Sequence, residues 1–128
     1  MAHFLLSAEA AFSGAHTLPG VAVCERMHGH NWRVRVTVRI DEDALDRVGM
    51  GVDFRTIEDE TKRAVAEFDH AYLNELEAFA GRLPTAENVA RVVSERVARR
   101  LAVAAPAATV AEVEVWEMPQ YRVSYHPD

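Results

Sequence analysis

The chain has 128 residues, about half of them apolar (49%) and 27% charged, with a formal charge of −6. That is enough chain for one domain with one core, read here as spanning 1–128, but little for a deep private cleft, so an active site shared between subunits is expected. The negative balance excludes broad electrostatic binding to nucleic acid, and no apolar run approaches the roughly 20 residues that span a bilayer. The cations are nearly all arginine, Lys62 being the one lysine, and guanidinium forks suit phosphate oxygens. A small phosphorylated substrate therefore stays compatible with the charge. Met1 to Ala8 lacks a basic stretch and a long apolar run, so the expected location is cytoplasmic.

Residues 3 to 12 alternate, with Phe4, Leu6, Ala8, Ala10 and Phe12 on one face, which predicts a strand with one buried side. Ser13-Gly14 and Pro19-Gly20 then mark a loop carrying His16. Cys24, His28 and His30 follow within fifteen residues of His16. Three neutral imidazoles suit zinc, and three ligands leave a coordination position for water or substrate. His28 and His30 are two apart, so an extended backbone sends both to one face, with Gly29 adding no bulk between them. Cys24, the only cysteine, has no disulfide partner in the chain; it is either a reactive group beside the metal or a small buried hydrophobe.

Residues 31 to 40 alternate strongly, Trp32, Val34, Val36, Val38 and Ile40 opposing Arg33, Arg35, Thr37 and Arg39, as in a half-buried antiparallel strand. His28 and His30 share the parity of its apolar face, a reading that a bulge at Gly29 would undo. Asp41 to Asp46, Gly49 and Gly51 form a connection. Asp53 sits at an N-cap position before Phe54, Ile57, Ala64, Val65 and Phe68 at helical spacing. Asp69 to Leu83 is less regular, and Asp69-His70 within it is either an acid–base pair or a structural pair at a helix end. Thr85 is a second N-cap, with Glu87 in the first turn of a helix carrying Val89, Val92, Val93, Val97 and Leu101; Pro106 closes it. Val110 to Met118 and Tyr121 to His126 read as a hairpin about Pro119-Gln120. Glu117 continues the apolar parity of Val113 and Val115, so it is either paired with a protein cation or set to receive a ligand with N–H donors. The order ββααββ predicts an α+β fold, two helices on one face of a four-stranded antiparallel sheet.

Taken together, His16, Cys24-x-x-x-His28-Gly29-His30, Val52-Asp53-Phe54, Asp69-His70-x-Tyr72-Leu73-Asn74, Pro84-Thr85-x-Glu87-Asn88 and Val115-x-Glu117 resemble, in order and spacing, the motifs of the 6-pyruvoyltetrahydropterin synthase superfamily. The gap between Cys24 and His28 is most similar to the bacterial 6-carboxytetrahydropterin synthases of queuosine and other 7-deazapurine pathways. The resemblance implies a tunnelling fold assembled as a homohexamer of two trimers, with active sites at subunit interfaces. It implies Zn2+ held by His16, His28 and His30, and 7,8-dihydroneopterin triphosphate as substrate. It further implies Glu117 as the pterin anchor with Thr85 and Glu87 nearby, and Cys24 as the proton-transfer group with Asp69 and His70 as relay partners. The implied products are 6-carboxytetrahydropterin, acetaldehyde and triphosphate. Two rival outcomes use the same residues: 6-pyruvoyltetrahydropterin formation without carbon–carbon cleavage, and a non-catalytic pterin- or zinc-binding oligomer.

Overall fold

The computed structural model describes residues 1–128. Its elements in chain order are β1 (His3–His16), β2 (His28–Asp41), α1 (Phe54–Val65), β3 (Ala71–Tyr72), α2 (Ala86–Ala104), β4 (Thr109–Met118) and β5 (Tyr121–Tyr125). The sheet order is β3-β1-β2-β4-β5, antiparallel except where β3 runs parallel to β1 over Gly14 and Ala15. The expected architecture is present, with one correction: the sheet has five strands because two residues of the irregular 69–83 stretch pair with the edge of β1. The rest of that stretch is short 3-10 turns at Leu73–Glu75 and Glu77–Phe79.

Both helices start as their caps dictate. The Asp53 side chain accepts from the Arg55 N–H at 2.8 Å and the Thr85 hydroxyl from the Asn88 N–H at 3.1 Å, each satisfying an N–H that the first helical turn leaves free. Helix α1 ends at Val65, earlier than its apolar spacing suggests, and Phe68 enters the core from a 3-10 turn. One contiguous cluster of 22 buried apolar residues, among them Trp32, Val36, Ile57, Phe68, Val93 and Val113, fills the space between sheet and helices. The buried carboxylate of Glu60 on α1 accepts from Arg100 on α2 at 2.8 Å and from Arg63 at 3.1 Å, cross-linking the two helices. No helix is long and apolar enough to cross a membrane.

The largest departure from expectation lies in β1, which runs through Ser13-Gly14 to His16 and places that histidine at a strand end, not in a loop. Gly14 serves packing there. A Cβ on it would lie 3.2 Å from the Phe68 carbonyl oxygen and 3.3 Å from the Phe12 ring, so only glycine lets the chain cross so closely. Strand β2 is likewise continuous through Gly29, which pairs with Ala15, and no bulge intervenes. The irregularities fall elsewhere, between Thr37 and Val38 against β4 and between Trp116 and Met118 against β5.

Trp32 is fully buried under the His16 end of this hairpin. It stacks on Phe12 at 5.6 Å and donates its indole N–H to the Gly14 carbonyl at 3.1 Å. Trp32→Ala would leave a cavity and an unpaired carbonyl, an expected loss of about 3–5 kcal/mol in urea unfolding.

Candidate metal centre

The β1–β2 register sets His16 directly opposite His28 and Gly14 opposite His30, so the three imidazoles leave one face of one hairpin within reach of each other. Ring centroids lie 4.5 Å apart for His16 and His28, 4.8 Å for His28 and His30, and 5.2 Å for His16 and His30. One ring nitrogen of each falls within 4.8 Å of the other two. The indole of Trp32 forms the floor, 5.2 Å from His16 and 5.7 Å from His30.

Two of the rings are held at their outer nitrogens. His16 Nδ1 meets the Pro84 carbonyl and His28 Nδ1 the Arg26 carbonyl, each at 2.8 Å. A carbonyl only accepts, so in both rings Nδ1 carries the proton and the neutral Nε2 presents a lone pair, the arrangement found behind metal-bound histidines. His16 Nε2 and His30 Nε2 are buried and have no hydrogen-bond partner. Burial holds the His16 and His30 imidazoles below their ordinary value of 6.5, outweighing the opposing pull of the Pro84 carbonyl on His16 and of Glu117 on both. Neutral imidazole is the ligating form.

Glu117 is the third part of the centre. It sits at the β4 irregularity, where Trp116 pairs with Arg122 and Met118 with Tyr121, and its side chain still turns inward, 26% exposed. Its Oε1 is 3.2 Å from His16 Nε2 and 3.7 Å from His30 Nε2. The shorter distance is close enough for an ionic contact, yet its direction does not meet hydrogen-bond geometry. A carboxylate oxygen facing the His16 lone pair is repulsive unless a cation lies between them. Since burial disfavours the proton, the donor set fits a metal ion, which His16, His28 and His30 would hold. Glu117 also borders a hollow of about 210 Å3 lined by Ala86, Glu87, Tyr121, Arg122 and Val123. Thr85 is not among its lining residues, and its hydroxyl is already engaged as the α2 cap.

The remaining expected site residues are not joined to this cluster within one protomer. Cys24 is half-buried in the 3-10 turn Ala22–Glu25, and its hydrogen bonds run through its backbone, from Leu18 N–H and to the Val21 carbonyl. His70 is exposed and lines a hollow with Ser13, Ala15, Met27, Asn31 and His30. The Asp69-His70 pair is tied to the edge of β1 and makes no hydrogen bond to the imidazole cluster. Asp69 Oδ1 accepts from the Ser13 N–H at 2.9 Å, and its Oδ2 is 3.6 Å from His70 Nε2. His70 takes a left-handed φ of 57° and donates its backbone N–H to the Ser13 carbonyl at 2.6 Å. That is an uncommon conformation for a non-glycine residue.

Sequence reasoning overlooked the groups that hold the end of β1. Asn74 accepts from the Thr17 N–H at 2.9 Å and donates to the Thr17 carbonyl at 3.0 Å, while the Tyr72 and Thr17 hydroxyls meet at 2.8 Å. These contacts clamp the residue after His16. The signal was present in the Asp69 to Asn74 motif, but no local rule says what a side chain in that motif will meet.

Two helices on one face of an antiparallel sheet, with three imidazoles at one end of the central hairpin, define a class of α+β proteins with a histidine cluster able to hold a metal beside a carboxylate-lined hollow. Sequence comparison makes the class specific: the chain belongs to the 6-pyruvoyl tetrahydropterin synthase family, whose pattern matches residues 5–128. It is 33% identical to 6-carboxy-5,6,7,8-tetrahydropterin synthase of Bacillus subtilis over 130 aligned positions, 97% of this chain and 86% of that one. It is 35% identical to a putative 6-carboxy-5,6,7,8-tetrahydropterin synthase of Archaeoglobus fulgidus over 92 residues, 71% of this chain and 74% of that one. The fold superposes on 6-pyruvoyl tetrahydropterin synthase of Caenorhabditis elegans with a TM-score of 0.84 at 23% identity, covering 100% and 98% of the two chains. The corresponding Plasmodium vivax enzyme gives 0.77 at 16% identity, covering 100% and 99%.

The metal-free protein should lose stability as pH falls below 6.5, the ordinary imidazole value that the unfolded chain regains. Folded His16 and His30 titrate lower, so the unfolded state binds protons first and the loss continues until the folded values are passed. Urea unfolding between pH 8 and 5 reads this slope, and His30→Gln should flatten it. Metal analysis should find one divalent ion per chain, and none after His16→Ala or His28→Ala.

Proposed function

We propose that the protein is a zinc-dependent 6-carboxytetrahydropterin synthase, converting 7,8-dihydroneopterin triphosphate and water to 6-carboxytetrahydropterin, acetaldehyde and triphosphate. The observation that carries the reading is the position of Glu117, whose carboxylate belongs both to the imidazole cluster and to the adjoining hollow. A carboxylate there accepts paired N–H donors from the pyrimidine half of a pterin and sets the ring's side chain across the three Nε2 atoms. Names of the relatives at 33% and 35% identity support the carboxy product.

Nitrogen donors and an open fourth position fit zinc, which when bound acts as a Lewis acid on a side-chain oxygen and eases loss of a proton from the neighbouring carbon. Everything else falls to the chain. Glu117 fixes the pterin by hydrogen bonds to its N–H groups; Glu87 and Thr85 border the same ring. Pro84 and Arg26 carbonyls orient the His16 and His28 rings through their Nδ1 atoms. Cys24, in the turn just before His28, moves protons on and off the side-chain carbons. Asp69 and His70 relay those protons, and because they make no hydrogen bond to Cys24 of their own chain, each pair serves the Cys24 of a neighbouring subunit in a homohexamer. Loss of triphosphate breaks a carbon–oxygen bond, and cleavage of the side chain, with water supplying the carboxyl oxygen, releases acetaldehyde.

Incubating the zinc-loaded protein with 7,8-dihydroneopterin triphosphate should yield a carboxytetrahydropterin and acetaldehyde by mass spectrometry; a pyruvoyl product would keep the site and overturn the reaction. Cys24→Ala should lower turnover by at least about 100-fold, the scale of a lost acid–base group, with zinc content unchanged. Glu117→Gln should weaken dihydroneopterin binding by roughly 10- to 100-fold, since a charged hydrogen-bond acceptor becomes a neutral one.

A further inference from the structure

Salt bridges engage every cation of the chain except Arg26, Arg47, Arg91 and Arg99. Three of these four are remote from the imidazole cluster or already oriented. Arg47 follows the far end of β2, fourteen residues of strand from His28, roughly 40 Å at the usual rise. Arg91 and Arg99 flank Glu95 on α2 and, after the larger effect of Arg82, help hold its carboxyl low. Arg26 alone stands at the cluster, two residues before His28, with its carbonyl on His28 Nδ1 at 2.8 Å. Its guanidinium is exposed and makes no hydrogen bond within the protomer.

The direction of that side chain follows from alternation. Arg26 is extended, φ −84° and ψ 143°, and stands two residues before His28, where β2 begins. Arg26 therefore leaves on the face of His28 and His30. Glu117 approaches His16 and His30, whereas Arg26 is attached at His28, so the centre has a polarity: carboxylate, His16 and His30, His28, guanidinium. Dihydroneopterin triphosphate has the same polarity, with N–H donors at one end, side-chain oxygens in the middle and a polyanion at the other.

We infer that Arg26 binds the triphosphate of the substrate. This rests on the pterin reading above and adds the subsite that reading lacks. A guanidinium offers five N–H donors in a planar fork, several of which can meet phosphate oxygens at once. Its unpaired state is the counterpart of the ligand's charge: a polyanion that must leave after the reaction is better met by a cation with no protein carboxylate to displace. Because its backbone carbonyl and not its side chain orients His28, changing Arg26 leaves the metal ligands in place.

The test uses three ligands on the zinc-loaded protein: inorganic triphosphate, 7,8-dihydroneopterin without phosphates, and the full substrate. Arg26→Gln should weaken binding of triphosphate and of substrate by roughly 10- to 100-fold, the scale of a lost charge-assisted pair. It should leave dihydroneopterin affinity and zinc content unchanged, and Arg26→Lys should recover part of the loss. Unchanged triphosphate binding in Arg26→Gln, or equal weakening of dihydroneopterin, overturns the assignment, as does a wild-type protein that binds no triphosphate. If wild type binds triphosphate through Arg26 but no dihydroneopterin, the pterin reading fails while the anion subsite stands.

Discussion

The pairing of β1 with β2 is the constraint on which the rest depends. Fourteen consecutive residue pairs run from His3 opposite Asp41 to His16 opposite His28. A slip of one residue would turn every side chain to the other face, and it cannot occur because Phe12, Trp32, Val34 and Val36 would then leave the core. Hydrophobic burial of the central hairpin thus places the three imidazoles, which stand at its end like the last teeth of a closed zip. Gly14 and Trp32 are the packing details that make the end tight, the one by absence of a side chain, the other by filling the space below the rings.

Electrostatics then act within that frame. Two backbone carbonyls orient two rings, burial keeps His16 and His30 neutral, and Glu117 adds a negative charge where lone pairs already converge. Each feature alone is ordinary. Together they create a demand for a cation at a point that borders a ligand-sized hollow, which is how a small α+β domain acquires a candidate catalytic centre without a deep cleft. The placing of the remaining chemistry has the same origin. Asp69 and His70 are tied to the Ser13 backbone at the edge of β1 and make no hydrogen bond to the imidazole cluster.

Much of this was legible in the sequence, residue by residue. Alternation in 31 to 40 marked the central strand, and carrying its parity back to His28 and His30 put both rings on the packed side. Asp53 and Thr85 marked helix starts that the structure keeps. Parity along Val113, Val115 and Glu117 pointed the carboxylate inward even though the strand is irregular there. The misreadings share a cause. Ser13-Gly14 has the composition of a turn, and only the approach of Phe68 and Leu73 from a distant segment shows that the glycine admits a neighbour; the two-residue β3 arises from the same approach.

By itself, the sequence determined which residues carry chemistry, which faces are apolar and where the helices begin, because side-chain identity and periodicity act over a few neighbours. Tertiary structure decided what those residues meet: His16 with the Pro84 carbonyl, Thr17 with Asn74, Glu117 with two imidazoles, Arg26 with no carboxylate at all. Such meetings join segments as far as 101 positions apart, from His16 to Glu117. Register, packing and burial set them, and those exist only once the sheet and helices have closed on a common core.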